Sequence, residues 1–499
     1  MRGVGLAELV HVTTIAAGPH TVGIAALEIA WISGTPHLLT GSGADGGLAS
    51  YVIAPSGLTL VDHESAGPNS GTAGTSDLDQ VDVGDRLFLL PSGRSDDNTT
   101  LHALDGGGRF DGLFNPGFHA DLLTNVQVSA TVTILDTVFV INSQWGQPGF
   151  NVFALGDHMN LKLATSVPDT GDSHTGDIAA MESLSIADRT FVVSVSGADA
   201  GVTSHWISHT GAMRLMDAVG PDDGLWVSAP TALAAADVGG QSLLIVGAAG
   251  SHSLSVLGVD SLGALEILQH YTDTRDTRFG DVQAVETFGI GNRSFVVAGG
   301  GDDGISAFEL APDGQLFLLD TVVDQLNTTL MNVSDIAATV LDGTAHILVS
   351  GSDTGVTQFS IDLNGLPDSL GGTAAGETLS GGGGPDLIAG LGGDDTLSGA
   401  GDDDRLIDGA GQDSLTGGAG ADVFVFVNDG QADSITDFED GLDRIDLGGL
   451  PMLHGIDQLI LDQQGGAVRL TFGDETLLVS SDGGLQVAEL TTDDFIFGF

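Results

Sequence analysis

The sequence predicts an all-β protein made of two kinds of repeat. Three observations support this prediction: short apolar runs separated by turns, 76 glycines among 499 residues, and two internal periods, one long and one short. A chain of this length exceeds the roughly 250–300 residues at which a single hydrophobic core stops growing, so we expect more than one structural unit. Short strands joined by glycine-containing turns are typical of all-β architectures.

The long period covers the first part of the chain. Each unit contains an apolar run, a Gly/Asp/Ser turn, an alternating run, a second turn and another apolar run. An additional apolar strand leads each unit, so each holds about four strands, which is the content of one propeller blade. Residues 1–366 are therefore predicted to form a seven-bladed β-propeller. The first turns of the seven units lie 51 or 52 residues apart, at Asp45, Asp96, Gln147, Asp199, Ser251, Asp302 and Asp353.

The two ends of this region fit a closed ring. The seventh unit stops after its third strand, whereas residues 5–15 precede the first unit and align with the fourth strands of other units. We expect residues 5–15 to complete the last blade, because ring closure removes two exposed sheet edges. The region resembles propellers of the lactonase and WD40 types.

A nine-residue period follows a glycine-rich junction. Aspartate recurs at position six and a large apolar residue at position eight, which is the pattern of the RTX nonapeptide, a calcium-binding parallel β-helix repeat. The pattern predicts a parallel β-roll over residues 367–426. Five units abut in one register, after a degenerate unit at residues 372–380: GGGGPDLIA from Gly381, GLGGDDTLS from Gly390, GAGDDDRLI from Gly399, DGAGQDSLT from Asp408 and GGAGADVFV from Gly417.

The residue types of the nonapeptides suit calcium. Calcium takes six to eight hard oxygens, and a glycine-rich turn can bend its carbonyls toward an ion. The apolar position-eight residues, from Leu379 to Phe424, are expected to form a core too thin to fold without metal. Asp402 replaces the glycine expected at position four and Asp408 the one expected at position one, so both turns are expected to be weakened and one site to be lost or distorted. The candidate ligands are Asp386, Asp395, Asp404, Asp413 and Asp422, with the turn glycines Gly381, Gly384, Gly390, Gly393, Gly399, Gly401, Gly409, Gly411, Gly417 and Gly420.

A flexible Gly/Asp linker is the alternative interpretation of this composition. It is disfavoured because a random low-complexity segment would not keep both an aspartate and an apolar residue in phase over five units.

The segment after the repeats resembles a known family. Phe424 to Leu447 reads FVFVNDGQADSITDFEDGLDRIDL, which is similar to the segment that follows the repeats in serralysin-type proteases and other RTX exoproteins. The final TTDDFIFGF resembles the uncleaved signal of type I secretion substrates. The resemblance implies that residues 427–499 form a C-terminal β region with this signal. It also implies export by a type I secretion apparatus from a bacterial cytoplasm, and folding outside with calcium.

Composition and leader pattern limit the partners. Asp and Glu outnumber Lys and Arg by 68 to 13, so the surface repels nucleic acid and anionic lipid, and neither is expected as a partner. The sequence has no uninterrupted run of 18 or more apolar residues, so membrane insertion is not expected. The chain has no cysteine, and its first 19 residues do not resemble a cleavable signal peptide.

No recognisable catalytic set accompanies these repeats. The His-Glu-x-x-His motif of zinc proteases is absent, so the serralysin resemblance does not extend to that activity. Asn125, Asp177, Asp281 and Asp335 open the innermost strands and are expected near the channel mouth. There they either satisfy backbone donors, the favoured interpretation, or hold a divalent cation as in lactonase-type propellers.

The sequence thus favours a secreted calcium-binding RTX protein whose propeller is a non-enzymatic scaffold for an unknown extracellular ligand. The alternative is a secreted metal-dependent hydrolase, acting on a lactone, a phosphoester or a glycan at the propeller channel.

Overall fold

A computed structural model describes residues 8–67, 70–93, 99–115, 124–156, 159–367 and 369–498. The described residues form strands and turns with a few short 3₁₀ turns, at Pro221–Asp223, Ile456–Gln458 and Thr492–Asp494. The prediction of an all-β chain with a seven-bladed propeller and a parallel β-roll is confirmed. None of the described residues forms a helix long and apolar enough to cross a membrane.

Seven antiparallel four-stranded sheets form the propeller blades. Six of them are consecutive in the chain. Blade one contains β2 (Ile24–Ile32), β3 (Thr35–Ser42), β4 (Leu48–Ala54) and β5 (Gly57–Glu64); blade two contains β6 (Thr75–Val83), β7 (Arg86–Gly93), β8 (Leu101–Leu104) and β9 (Phe110–Phe114); blade three contains β10 (Val126–Ile134), β11 (Thr137–Gln144), β12 (Phe150–Leu155) and β13 (Leu161–Val167). Blade four contains β14 (Ile178–Ile186), β15 (Arg189–Ser196), β16 (Gly201–Ile207) and β17 (Met213–Val219); blade five contains β18 (Pro230–Val238), β19 (Gln241–Ala248), β20 (Ser253–Val259) and β21 (Leu265–Thr272); blade six contains β22 (Val282–Ile290), β23 (Arg293–Gly300), β24 (Gly304–Leu310) and β25 (Leu316–Val323).

The seventh blade joins the two ends of the propeller region. It contains β26 (Asp335–Leu341), β27 (Thr344–Ser350) and β28 (Val356–Asp362), and its outer strand is β1 (Val10–Ile15). Strand β1 pairs antiparallel with β28, from Val10 opposite Ser360 to Ile15 opposite Val356. Residues 5–7 of the expected closing strand lie outside the described residues. The pairing gives the edge of β28 a hydrogen-bonding partner, which an open sheet would lack.

Apolar side chains from neighbouring blades pack together between the sheets. Leu27 of blade one and Ala337 and Leu348 of blade seven belong to one buried cluster. A hydrogen bond of 2.6 Å joins the same blades, donated by the Leu27 amide to Asp335 Oδ2. The ring is therefore closed by both apolar packing and a polar contact between the innermost strands.

Two sheets follow the propeller. They are formed by β29 (Leu370–Gly371), β30 (Thr378–Ser380), β31 (Leu387–Ala389), β32 (Thr396–Gly401), β33 (Arg405–Ile407), β34 (Ser414–Ala419), β35 (Val423–Val425), β36 (Ala432–Ile435), β37 (Arg444–Asp446), β38 (Ile460–Gln464), β39 (Ala467–Phe472), β40 (Glu475–Ser480) and β41 (Phe495–Ile496). One sheet has the order β29-β31-β33-β35-β37-β41, and the other the order β30-β32-β34-β36-β40-β39-β38. Their strands pair in parallel, except that β38, β39 and β40 of the second sheet pair antiparallel with one another. Ile388 lies opposite Leu406 and Leu397 opposite Leu415, so each coil of the roll consists of two nonapeptides.

The core of the roll is a column of position-eight side chains. Leu379 is only partly buried, since it lies in the degenerate unit at the start of the roll. The column continues past the repeats through Ile435, Ile445 and Phe495, so the C-terminal segment shares the core of the coils. The fully buried members of the repeats are Ile388, Leu397, Leu406, Leu415 and Phe424.

One sheet of the roll packs against blade six. Leu387, Ile407 and Val423 of the roll form a buried cluster with Ala311 of the propeller, and Phe317 packs against it. Across the same junction, the Asn292 amide group donates a 2.6 Å hydrogen bond to the Ser369 carbonyl. The propeller and the roll are thus joined by an apolar contact as well as by the chain.

Candidate metal centre

The position-six aspartates form a hydrogen-bonded ladder along the roll. The Oδ1 atom of Asp404 accepts the amide N–H of Asp386, one coil earlier, at 2.8 Å. The same contact repeats from Asp395 to Asp413 at 2.7 Å and from Asp404 to Asp422 at 2.9 Å. All five of these aspartates are buried. The carboxylates of Asp404, Asp413 and Asp422 are therefore each held in one orientation by the turn of the preceding coil.

The second carboxylate oxygen of most ladder members has no partner within the protein. The Oδ2 atoms of Asp395, Asp404, Asp413 and Asp422 are buried and accept no hydrogen bond. Asp386 differs, because its Oδ2 accepts the Gly382 amide at 2.6 Å. A buried carboxylate oxygen without a donor is costly, so these four atoms are suited to hold a cation.

The first glycine of each repeat lets the backbone approach these oxygens. A Cβ on Gly399 would lie 2.1 Å from Asp404 Oδ2, and one on Gly417 would lie 2.1 Å from Asp422 Oδ2. The later glycines shape the turn: at Gly420, φ is +151°, and a Cβ would lie 2.1 Å from the Asp402 carbonyl oxygen. Close packing of backbone around each carboxylate fits a cation held by carboxylate and carbonyl oxygens.

The remaining predicted glycines occupy several kinds of position. Gly381 and Gly390 are first glycines and face Asp386 and Asp395. Gly384 lies beside Pro367, and Gly401 ends strand β32. The others with a left-handed backbone are Gly393, Gly409 and Gly411.

Burial changes the acidity of the ladder. It raises the pKa of Asp404 to about 7 and those of Asp413 and Asp422 to about 6, and neighbouring carboxylates add to the effect. A hydrogen bond from the backbone opposes the increase in each case. These carboxylates thus ionise less readily than an ordinary aspartate, and a bound cation would favour their ionised form. The donors are all hard oxygens, with no sulfur or imidazole among the ladder members, which suits calcium better than zinc.

Two ladder members beyond the recognised repeats were missed in the sequence. Asp433 Oδ1 accepts the Asp413 amide at 3.0 Å, and Asp443 Oδ1 accepts the Asp422 amide at 3.0 Å. Insertions lengthen the spacing from 18 to 20 and 21 residues. The signal was present, because Asp433 and Asp443 stand two residues before the buried Ile435 and Ile445, as the repeat aspartates do.

Asp402 and Asp408, which stand where the repeat pattern has glycine, occupy different environments. Asp402 adopts a left-handed backbone with φ of 72°, the conformation expected of the glycine it replaces. Asp408 is buried and lies in a group of carboxylates. Two groups of the described residues bring one ligand oxygen per residue within 4.8 Å of one another: Asp408, Asp413 and Asp433, and Asp429, Asp433 and Glu475.

The four channel candidates lie where the innermost strands begin. Asn125, Asp177 and Asp281 immediately precede β10, β14 and β22, and Asp335 is the first residue of β26. The carbonyl oxygens of Asn125 and Asp177 accept amide N–H groups of Trp145 and Gly197 in the adjacent strand regions, at 3.0 and 2.8 Å. In the described part of the chain, Asp177, Asp281 and Asp335 do not form a group with metal-binding distances.

A different set of acidic residues surrounds the propeller axis. Glu28, Asp79, Glu182 and Glu286 take equivalent places on the innermost strands of blades one, two, four and six. Burial raises the pKa of Glu182 to about 7. Burial also raises the pKa of Glu286, and the negative charges of Asp335 and Glu182 add to that increase. These residues were missed, although the signal was an acidic residue at the centre of each of the strand segments ALEIA, DLDQV, AMESL and AVETF.

Known proteins resemble the two regions separately. The family described as Peptidase M10 serralysin C terminal matches residues 373–495. No curated protein matches the chain. A provisionally assigned 6-phosphogluconolactonase of Bacteroides fragilis is similar in structure, with 13% identity, 64% of this chain and 89% of that chain covered, and a TM-score of 0.45. A protein from Lactobacillus plantarum is similar at 15% identity, with 63% and 96% covered and a TM-score of 0.43.

These structural similarities are too distant to bear on activity. The family match concerns the region that contains the aspartate ladder. Residues 373–495 are therefore similar to the C-terminal domain of serralysins, and they follow a seven-bladed propeller.

Proposed function

We propose that this chain is an exported calcium-binding protein whose β-roll folds when calcium binds outside the cell. The observation that supports the proposal best is the row of buried, unpartnered Oδ2 atoms on Asp395, Asp404, Asp413 and Asp422. The match of residues 373–495 to the serralysin C-terminal family adds support, because this resemblance implies both calcium binding and type I export.

Calcium would act in the roll as a structural ion. The repeat aspartates Asp386, Asp395, Asp404, Asp413 and Asp422 would supply carboxylate oxygens, and the turn glycines would supply carbonyl oxygens. The apolar column of the roll is one side chain wide per strand, so it is too small to balance the entropy of ordering the coils. Bound calcium would offset the repulsion among the buried carboxylates, which couples binding to folding.

Calcium titration of the full chain tests this proposal. Isothermal titration calorimetry should give saturable binding with several ions per chain. Asp404→Asn should weaken or remove part of that binding, because asparagine keeps the shape but loses the charge. Asp482→Asn is the matched control, since Asp482 lies in an exposed turn of the same region. Wild-type binding that is absent, or unchanged in Asp404→Asn, would contradict the proposal.

The propeller is proposed to present a binding surface to an extracellular ligand. Its closed ring of seven sheets is a rigid support, and propellers serve both binders and enzymes. The hydrolase alternative needs a metal at the channel, but Asp177, Asp281 and Asp335 do not reach metal-binding distances among the described residues. We therefore propose that the propeller is a binding scaffold rather than a hydrolase. A hydrolytic activity that is lost on replacing these three residues with asparagine would overturn that choice.

Export is proposed to depend on the C-terminal signal. Deletion of residues 491–499 should abolish secretion from a bacterium that carries a type I apparatus, with the protein retained in cells. Replacement of Asp482 with asparagine should leave secretion unchanged. Secretion of the truncated chain at the level of the full chain would contradict this part of the proposal.

A further inference from the structure

Asp408 occupies the one first position among the five complete repeats that is not glycine. In the other repeats, a side chain added at this position would point toward the carboxylate of the aspartate at position six of the same repeat. A Cβ would lie 2.2 Å from Asp386 Oδ2 at Gly381 and 2.6 Å from Asp395 Oδ2 at Gly390. A side chain at the equivalent place in the fourth repeat therefore extends toward the carboxylate of Asp413.

The structure brings three carboxylates together at this place. Asp408, Asp413 and Asp433 each offer an oxygen atom, and the three atoms lie within 4.8 Å of one another. The three residues are 1%, 3% and 6% exposed. Asp413 Oδ2 has no hydrogen-bond partner. A nearly fully buried carboxylate oxygen without a donor, placed beside two others, is stabilised when a cation binds between them.

The backbone holds the three carboxylates in position. Asp408 Oδ1 accepts the amide N–H groups of Gly409 and Val427, at 2.6 and 3.1 Å. Asp413 and Asp433 each accept a ladder hydrogen bond through Oδ1. The ion pairs observed between described residues involve none of the three carboxylates. The group is thus preorganised and has no cationic side chain to neutralise it.

We propose that Asp408, Asp413 and Asp433 bind one calcium ion more tightly than the turns that begin with glycine. The inference rests on the proposed calcium-binding function and adds a distinct class of site to it. Calcium affinity increases with the number of charged ligands and with the rigidity of the site, and this turn has an additional carboxylate at position one. The donors are hard oxygens, which favour calcium over metals that prefer nitrogen or sulfur.

Neighbouring acidic residues strengthen the local field. Asp429 and Glu475 form a second group with Asp433 at the same 4.8 Å limit. Asp429 Oδ2 accepts the Gly411 amide at 2.6 Å, and Glu475 Oε1 accepts the Gly430 amide at 2.5 Å. Their negative charges lie beside Asp433, so they add electrostatic attraction for a cation at the first group.

The test is a calcium titration of the full chain in chelator-buffered calcium, with Asp408→Gly and Asp408→Asn. Asp408→Gly introduces the residue found at this position in the other repeats, so the fold is expected to persist, and circular dichroism checks it. Wild type should show one tight class of site beside weaker ones. Both variants should lose that class, with affinity at that site roughly tenfold lower or more, while the weaker sites keep their affinity.

The outcomes separate the inference from the proposed function. A tight class that persists in Asp408→Gly, or an equal weakening of every site, would overturn the inference, because Asp408 would then have no ligand role of its own. Binding in a single class unaffected by Asp408→Gly would remove the inference and leave calcium binding intact. Absence of any calcium binding in wild type would overturn the proposed function and this inference together. Asp482→Asn should match wild type.

Discussion

The guanidinium group of Arg405, in the roll, lies 4.1 Å from the centre of the Phe317 ring, in blade six. The same guanidinium lies 4.0 Å from Glu309 Oε2, and Arg293 donates a 2.6 Å hydrogen bond from Nε to Glu309 Oε1. Glu309 is 1% exposed and Arg293 is 2% exposed. A buried carboxylate of the propeller thus receives one of its two positive partners from the roll.

Arg405→Gln should therefore destabilise the calcium-loaded chain. The substitution removes the contact with Phe317 and leaves Glu309 with a single cationic partner, at an expected cost of about 2–3 kcal/mol in the free energy of unfolding. Urea unfolding followed by tryptophan fluorescence measures it. Arg469→Gln is the control, because Arg469 is exposed on β39. Equal midpoints for the two variants would contradict the importance of this junction.

A single methyl group should distinguish the metal-facing glycines from the others. Gly399→Ala places a Cβ 2.1 Å from Asp404 Oδ2, whereas Gly383→Ala meets no atom within 4 Å. We expect Gly399→Ala to raise the calcium concentration needed for binding several-fold, through an overpacking cost of about 1–3 kcal/mol. Calorimetric titration of both variants measures the difference. Similar calcium affinities in the two would show that the turn is not closed around an ion.

The half-buried acidic residues at the propeller axis should make stability depend on pH. Burial raises the pKa of Glu182 from 4.5 to about 7, so the folded state binds more protons than the unfolded state between these values. The contribution of Glu182 to stability is therefore present below pH 4.5 and is lost as pH rises to about 7.

Glu182→Gln should remove this dependence. The variant should be more stable than wild type at pH 8, on the order of 1–3 kcal/mol, and nearly equal to it at pH 4.5, because one pKa unit corresponds to about 1.4 kcal/mol. Denaturant unfolding at saturating calcium and both pH values gives the comparison, with the exposed Glu266→Gln as control. A stability difference that does not change with pH would contradict the assignment.

Strand β1 should be required for a stable seventh blade. Deleting residues 1–15 exposes the edge of β28 and removes the hydrogen bonds from Val10 opposite Ser360 to Ile15 opposite Val356. We expect a lower thermal midpoint and concentration-dependent association through the free edge. Scanning calorimetry and light scattering measure these effects. A truncated chain that stays monomeric with an unchanged midpoint would contradict the structural role of β1.

The repeats could be predicted because the residues that determine their fold recur at a fixed spacing in the sequence. The coil register follows from an aspartate and an apolar residue every nine positions, and Ile388, Leu397 and Leu406 are buried as that pattern requires. The exposure of individual tryptophans could not be predicted, because it depends on tertiary packing. Trp31, in strand β2, and Trp226 are 55% and 73% exposed.

Contacts between distant segments were the part that sequence could not supply. Asp408 looked like a defect in its turn, because its neighbours Asp413 and Asp433 are adjacent only once the coil has closed. Glu309, similarly, meets Arg405 only where the roll packs on blade six. Such partners depend on tertiary packing, which the local pattern does not encode.

Trypsin digestion of the full chain, with and without calcium, tests the central claim most directly. Arg405 and Arg444 lie in strands β33 and β37 of the roll, so cleavage after them reports whether the coils are formed. The account predicts rapid cleavage at both sites in excess chelator and strong protection in millimolar calcium, with the propeller resistant in both conditions. Equal rates of cleavage at these two arginines with and without calcium would contradict it.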